Sequence, residues 1–155
     1  MTIRRAAATD IERIGELLYQ VHKVHNDARP DLFKTGAKKY TDEQLSEILK
    51  DENKPVFVAT RGGSVCGYAF CIAMDNGGIE NMCNVKTLYI DDLCVDEKAR
   101  GGGIGKALFD HVVEHAKAND FYNVTLNVWA DNENAVAFYK KIGLRIQKID
   151  MEKIL

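Results

Sequence analysis

The chain has 155 residues, enough for one domain with a proper core and short for two, so residues 1–155 are expected to form a single unit. Apolar residues make up 46% and charged residues 28%, an ordinary balance for a globular protein, and a net charge of −2 leaves no basic face for nucleic acid or an anionic membrane. No apolar run has the length to span a bilayer and the first residues lack a secretory apolar core, so the expected location is cytoplasmic.

Thr2–Arg5 has the pattern of a short strand. Thr9-Asp10-Ile11-Glu12 has the form of a capping box, and Ile11, Ile14, Leu17, Leu18, Val21 and Val24 follow at helical spacing as far as about Asn26. Thr41 and Gln44 form a second capping box ahead of Leu45, Ile48 and Leu49. The stretch between these helices carries His25, Asp27, Arg29, Asp31, Phe33 and Tyr40. Pro55–Arg61 and Val65–Met74 flank Gly62-Gly63-Ser64 and predict a hairpin. A polar connection, Asp75–Asn84, leads to the extended run Thr87–Val95. That run holds two adjacent carboxylates, Asp91 and Asp92, which strand alternation puts on opposite faces unless a bulge intervenes. A carboxylate in a buried strand is costly without a partner or a task.

The next segment is Ala99-Arg100-Gly101-Gly102-Gly103-Ile104-Gly105-Lys106, and a helical pattern runs from Ile104 to about Ala118. The glycines thus sit where a strand hands over to a helix start, which offers unpaired N–H groups and the positive end of the peptide dipole. Glycine lets a phosphate approach the backbone, and Arg100 and Lys106 add charge at the ends of the loop. This is the composition of an anion cradle, most simply for a pyrophosphate. The Walker pattern does not fit, because only three residues separate Gly101 from Gly105 and Ala107 follows Lys106. The dinucleotide pattern fails as well, since Lys106 or Leu108 stands where its last glycine should be.

Within the helix, His111-Val112-Val113-Glu114-His115 spells a metalloprotease motif. Both histidines, however, share the helix side of Ile104 and Leu108 and so face the layer on which the helix packs; no metal is expected. Four cysteines, Cys66, Cys71, Cys83 and Cys94, show neither a Cys-x-x-Cys pair nor zinc spacing. Val124–Trp129 reads as a strand, Glu133–Ile142 as a helix with Gly143 at its C′ position, and Leu144–Asp150 as a last extended segment. The order β-α-α-β-β-β-α-β-α-β predicts an α/β (α+β) fold with a mixed central sheet and helices on both faces.

Arg100, Gly103 and Gly105 fit Arg-x-x-Gly-x-Gly, and Asn132, Ala135, Tyr139 and Gly143 fit Asn-x-x-Ala-x-x-x-Tyr-x-x-x-Gly, with Leu144 where a phenylalanine is usual. In these two ordered motifs the chain resembles the GNAT superfamily of acetyl-CoA-dependent N-acetyltransferases. The resemblance covers the C-terminal half well and the N-terminal half only in pattern. It implies a three-layer domain with a mostly antiparallel sheet split in a V, a bulge in the fourth strand, and acetyl-CoA as co-substrate. It also implies that Leu93, Cys94 and Val95 pair with the pantetheine arm, that Arg100, Gly101, Gly102, Gly103, Ile104, Gly105 and Lys106 hold the pyrophosphate, and that Asn132 contacts the cofactor. Tyr139 matches the tyrosine that protonates the departing sulfur.

Acetyl transfer to an amine needs a group to take the amine's proton. Tyr89-Ile90-Asp91-Asp92-Leu93 resembles the Tyr-Leu-Glu-Asp-Phe segment of diamine and polyamine acetyltransferases, which puts Asp91 first as that base and Asp92 second. His25, Asp31 and Phe33 fall in the region that lines the acceptor pocket in the family. The expected activity is transfer of acetyl from acetyl-CoA to a primary amine of a small molecule or a peptide, and the resemblance also allows a homodimer. The rival is a CoA-binding regulatory module without turnover, which would need neither Tyr139 nor a strand carboxylate.

Overall fold

Five strands and four helices follow one another in the computed structural model, which describes residues 1–155. β1 (Thr2–Arg5), β2 (Val56–Arg61), β3 (Ser64–Asp75), β4 (Lys86–Val95) and β5 (Asn123–Leu126) form one sheet in the order β1-β2-β3-β4-β5. The first three pairings are antiparallel and the β4–β5 pairing is parallel. Helices α1 (Ile11–Ala28) and α2 (Asp42–Lys50) cover one face, and α3 (Ile104–Ala118) covers the other. Helix α4 (Glu133–Lys141) follows β5.

Alternation along the strands decides which side chains enter which layer. Val56, Val58, Val65, Tyr68 and Phe70 pack with Ile14, Leu17, Leu18 and Leu45 under α1 and α2. Phe57, Ala59, Ala69, Cys71, Leu88 and Ile90 pack with Ile104, Leu108, Phe109 and Val112 under α3. Leu17, Leu18 and Leu108 are completely buried, each worth about 1.5–3 kcal/mol of transfer free energy. The β2–β3 turn uses Gly62 and Gly63 at φ 58° and 80°, the two left-handed residues that a tight type I′ hairpin requires.

β4 carries the irregularity that matters most. Phe70 lies opposite Asp92 and Cys71 lies opposite Ile90, so Asp91 is an extra residue with no partner across the ladder. The bulge resets the alternation: Leu88, Ile90, Leu93 and Val95 all face the α3 layer, while Cys94 faces α1. β5 pairs with β4 only from Thr87 to Ile90. Beyond that point β4 has no strand on its β5 side, and the sheet opens.

Four local expectations are corrected. The Thr9 capping box does not form, because the Asp10 carboxylate is held by both guanidinium nitrogens of Arg4 at 2.7 and 2.9 Å and accepts the Ala7 N–H at 2.8 Å, making a 3-10 turn ahead of α1. Helix α1 continues past Asn26 to Ala28, whereas β5 stops at Leu126 rather than reaching Trp129. Leu144–Asp150 forms no strand; a strand needs a partner edge, and β5 extends only four residues. The Thr41–Gln44 box and the end of α4 do form as expected. Gly143 N–H donates to Lys140 O and Leu144 N–H to Tyr139 O, the paired bonds of a Schellman cap.

Candidate active site

β4 leads into the glycine turn through an anchored corner. Asp96 is buried, binds Arg13 of α1 by a short ion pair and accepts the Lys98 N–H at 3.1 Å, so the corner is tied to the helix layer. Arg100 Nε donates to Val95 O at 3.3 Å across the turn. Gly101 and Gly103 take φ 82° and 75°, and a β-carbon on either would point into open space. The first backbone bond of α3 is Ala107 N–H to Gly103 O, so the N–H groups from Arg100 through Lys106 donate to no protein acceptor. These N–H groups stand at the positive end of a 15-residue helix, an arrangement complementary to a diphosphate.

The charges around this cradle differ from expectation in detail. Lys106 Nζ is drawn to Asp110 Oδ2 at 2.5 Å, while Arg61, unnoticed in the sequence, reaches the loop from the β2–β3 hairpin. A β-carbon on Gly102 would meet Arg61 Nη2 at 3.0 Å. Gly105 is small for a packing reason: a β-carbon there would lie 3.3 Å from the Phe138 ring of α4.

The carboxylates lie at the point where the sheet opens. Because of the bulge, Asp91 and Asp92 serve neighbouring partners instead of opposite faces. Asp91 accepts Tyr40 Oη–H at 2.5 Å and pairs with Lys39 Nζ at 2.9 Å. Asp92 accepts Tyr68 Oη–H at 2.9 Å. Burial pushes the Asp92 carboxyl from the ordinary 3.8 up to about 6, an effect that the Tyr68 bond and the charge of Lys39 only partly offset. Tyr139 of α4 is half-buried, and desolvation and then the charge of Asp92 raise its hydroxyl to about 12. Cys94 is raised to about 12 by burial and by Asp92, so it presents a thiol and not a thiolate nucleophile. Leu93 and Val95 pack toward α3 on the strand whose β5 side is open.

A cavity of about 130 Å³ is lined by Val24, His25, Phe33, Trp129, Asp131 and Asn132, among others. Phe33 stacks on His25 at 5.2 Å between centroids and meets Trp129 edge-on at 5.7 Å. Burial, and after it electrostatic repulsion from the His22 and Lys39 side chains, lowers the His25 pKa. Asp31 is not in the wall; its carboxylate holds Arg29 at 2.8 and 2.9 Å, and Arg29 is. Asn132 caps α4 by accepting the Ala135 N–H at 3.2 Å and so faces the same cavity. His111 and His115 contact the Phe57 ring at 4.8 and 5.1 Å, the packing role expected from the helical wheel. Sequence reading passed over Lys39, Tyr68, Trp129 and Arg61. A terminal Trp after an apolar strand was the one local signal among them, the rest depending on contacts across the fold.

Fold and site together define a class: a three-layer α/β protein whose sheet splays beside a glycine-rich helix start. The model of the acetyltransferase (GNAT) family matches residues 18–144. The peptidyl-lysine N-acetyltransferase YjaB of Salmonella typhimurium is 40% identical over 133 residues, 85% of this chain and 77% of that one. An uncharacterized N-acetyltransferase of Methanocaldococcus jannaschii, MJ1207, is 27% identical over 148 residues; the match takes in 96% of this chain but 62% of the archaeal protein's length. Among solved structures, a mutant of the BH1408 protein from Bacillus halodurans superposes with a TM-score of 0.96 at 33% identity, over 100% of this chain and 99% of that one. The chain belongs to the acetyltransferase (GNAT) family. No helix in it is long and apolar enough to cross a membrane.

Proposed function

We propose that the chain transfers an acetyl group from acetyl-CoA directly to a primary amine, with Asp92 taking the amine's proton and Tyr139 returning one to the sulfur. The observation that carries this proposal is the row of unpaired N–H groups from Arg100 to Lys106, at the end of a β4 whose β5 side is open beside Asp92. Bound acetyl-CoA supplies the acyl group as an activated thioester. The glycine turn and Arg61 hold the diphosphate, Leu93 to Val95 pair with the pantetheine arm as an added strand, and Asn132 borders the far side. A pKa of about 6 suits Asp92 to accept a proton near neutral pH, while Tyr139 at about 12 keeps its proton until a thiolate needs it.

Asp91 has a different part. Its carboxylate is occupied by Lys39 and Tyr40, and it attracts the acceptor's ammonium to the bulge. That it already holds a primary alkylammonium supports an acceptor of the same kind, a lysine side chain or a small alkylamine. The Salmonella relative, a peptidyl-lysine N-acetyltransferase by name, agrees with this class. His25, Phe33 and Trp129 would flank the acceptor, with Asp31 steadying Arg29 beside them. Incubating the protein with acetyl-CoA and a panel of lysine peptides and alkylamines should release CoA in step with amide formation. Binding of acetyl-CoA without consumption by any amine would overturn the assignment. Tyr139→Phe is expected to lower kcat by about a hundredfold with acetyl-CoA affinity kept within about threefold, the mark of a general acid; an unchanged kcat would remove that role.

A further inference from the structure

The lysine ion pairs of this protein fall into two kinds. Those of Lys23, Lys38, Lys50, Lys106 and Lys117 join residues three or four apart, where sequence proximity alone accounts for the contact. The pair formed by Lys39 crosses the fold to the bulge residue of β4: its Nζ is 2.9 Å from Asp91 Oδ1 and donates to Asp91 O at 3.3 Å. Tyr40 fixes the geometry from beside it. The Tyr40 ring lies 5.6 Å below the Lys39 ammonium and 5.6 Å from the Phe70 ring, and its hydroxyl binds the second oxygen of Asp91. A primary amine of the chain itself is thus held on the acceptor carboxylate, next in sequence to Asp92. The Lys39 side chain is 42% exposed, so it keeps room to move toward the cleft.

We infer that Lys39 is an acetylation site of the protein's own active centre, modified within the same molecule when acetyl-CoA is bound and no external amine displaces it. This rests on the proposed transferase activity and on Asp91 being its amine-receiving carboxylate. The Lys39 ammonium gives one proton to Asp92 and, through it, to solvent. The freed lone pair attacks the thioester carbonyl; the C–N bond forms, the C–S bond breaks, and the sulfur leaves with the proton of Tyr139. The second proton on nitrogen restores Tyr139 through solvent, so the products are an acetyl-lysine, free CoA thiol and one proton. The amide has no charge, so the modification also releases Asp91 from its counter-ion.

The test is site-resolved mass spectrometry of the full chain incubated with acetyl-CoA alone, at two protein concentrations, beside the amine panel. Lys39 should gain an acetyl group at least about tenfold faster than any other lysine, as a held amine reacts in a unimolecular step. The rate should not depend on protein concentration, and Tyr139→Phe should slow Lys39 by about a hundredfold while leaving the other lysines unchanged. Amines acetylated while Lys39 gains label no faster than its neighbours would overturn this inference and leave the transferase assignment standing. A Lys39 rate that rises with protein concentration would overturn the same-molecule step. No labelling and no amine turnover would overturn both.

Discussion

Gly103→Val should abolish measurable acetyl-CoA binding in a protein that still folds. Gly103 sits at φ 75° and ψ 6°, a left-handed conformation that costs an L-residue about 1–2 kcal/mol and a β-branched one more. Nothing lies within 4 Å of where its β-carbon would stand, so the core is spared and the strain is local. Relief of the strain requires the turn to rotate, which turns the N–H groups of Arg100 to Lys106 away from a common point. A new side chain would also project into the space a diphosphate needs. Affinity measured by calorimetry should fall by at least about a hundredfold, some 2.7 kcal/mol. The melting temperature should drop by only about 2–8 °C, the range for a loss of 1–2 kcal/mol in a domain of this size. Normal CoA affinity in this variant would remove the cradle from the site.

Asp92→Asn should have the largest effect on the chemical step. Removing a general base lowers kcat by about 10²–10⁴. The pH profile identifies the group more securely than the loss itself. In the free enzyme, kcat/KM should fall on the acid side as Asp92 protonates near its pKa of about 6, and this limb should vanish in the variant. If Asp91→Asn removes the limb instead, the two carboxylates have been assigned in the wrong order. The same shift has a stability consequence of opposite sign. A carboxyl whose folded pKa lies above its unfolded value contributes stability that is complete below about 3.8 and lost as pH rises through about 6. Above that range the ionised, desolvated Asp92 leaves the fold weaker. Asp92→Asn should therefore melt later than the parent at pH 7.5 while being nearly inactive.

Much of this architecture is legible in the chain because it rests on local pattern. Helical spacing located α1 to α3, the Asn132–Gly143 motif placed α4, and the glycine run before Ile104 marked the helix start whose N–H groups stay unpaired. The bulge also left a trace: Leu88 and Ile90 share a face with Leu93 and Val95, yet Ile90 and Leu93 are three residues apart, a step that unbroken alternation cannot supply. Adjacent Asp91 and Asp92 were visible as a costly pair, but their division of labour was not. It depends on Lys39, Tyr40 and Tyr68, which reach them from other elements. The last expected strand failed for the same reason. Leu144 and Ile146 alternate with polar residues, but alternation records a preference for a sheet and not the presence of an edge to join. Likewise Thr9 lost its cap because Arg4 holds the neighbouring Asp10, a contact that no local rule contains.

Deleting Asp91 would leave every other side chain of β4 on its present face, since Ile90 points toward α3 and Asp92 already points away from it. The shortened strand would be regular and free to zip onto an extension of β5, gaining main-chain bonds where the present sheet gapes. Slower amide exchange at Leu93 and Val95 in the deletion variant would register that closure. By this geometry, a flatter and sturdier scaffold lies one codon away from the present one.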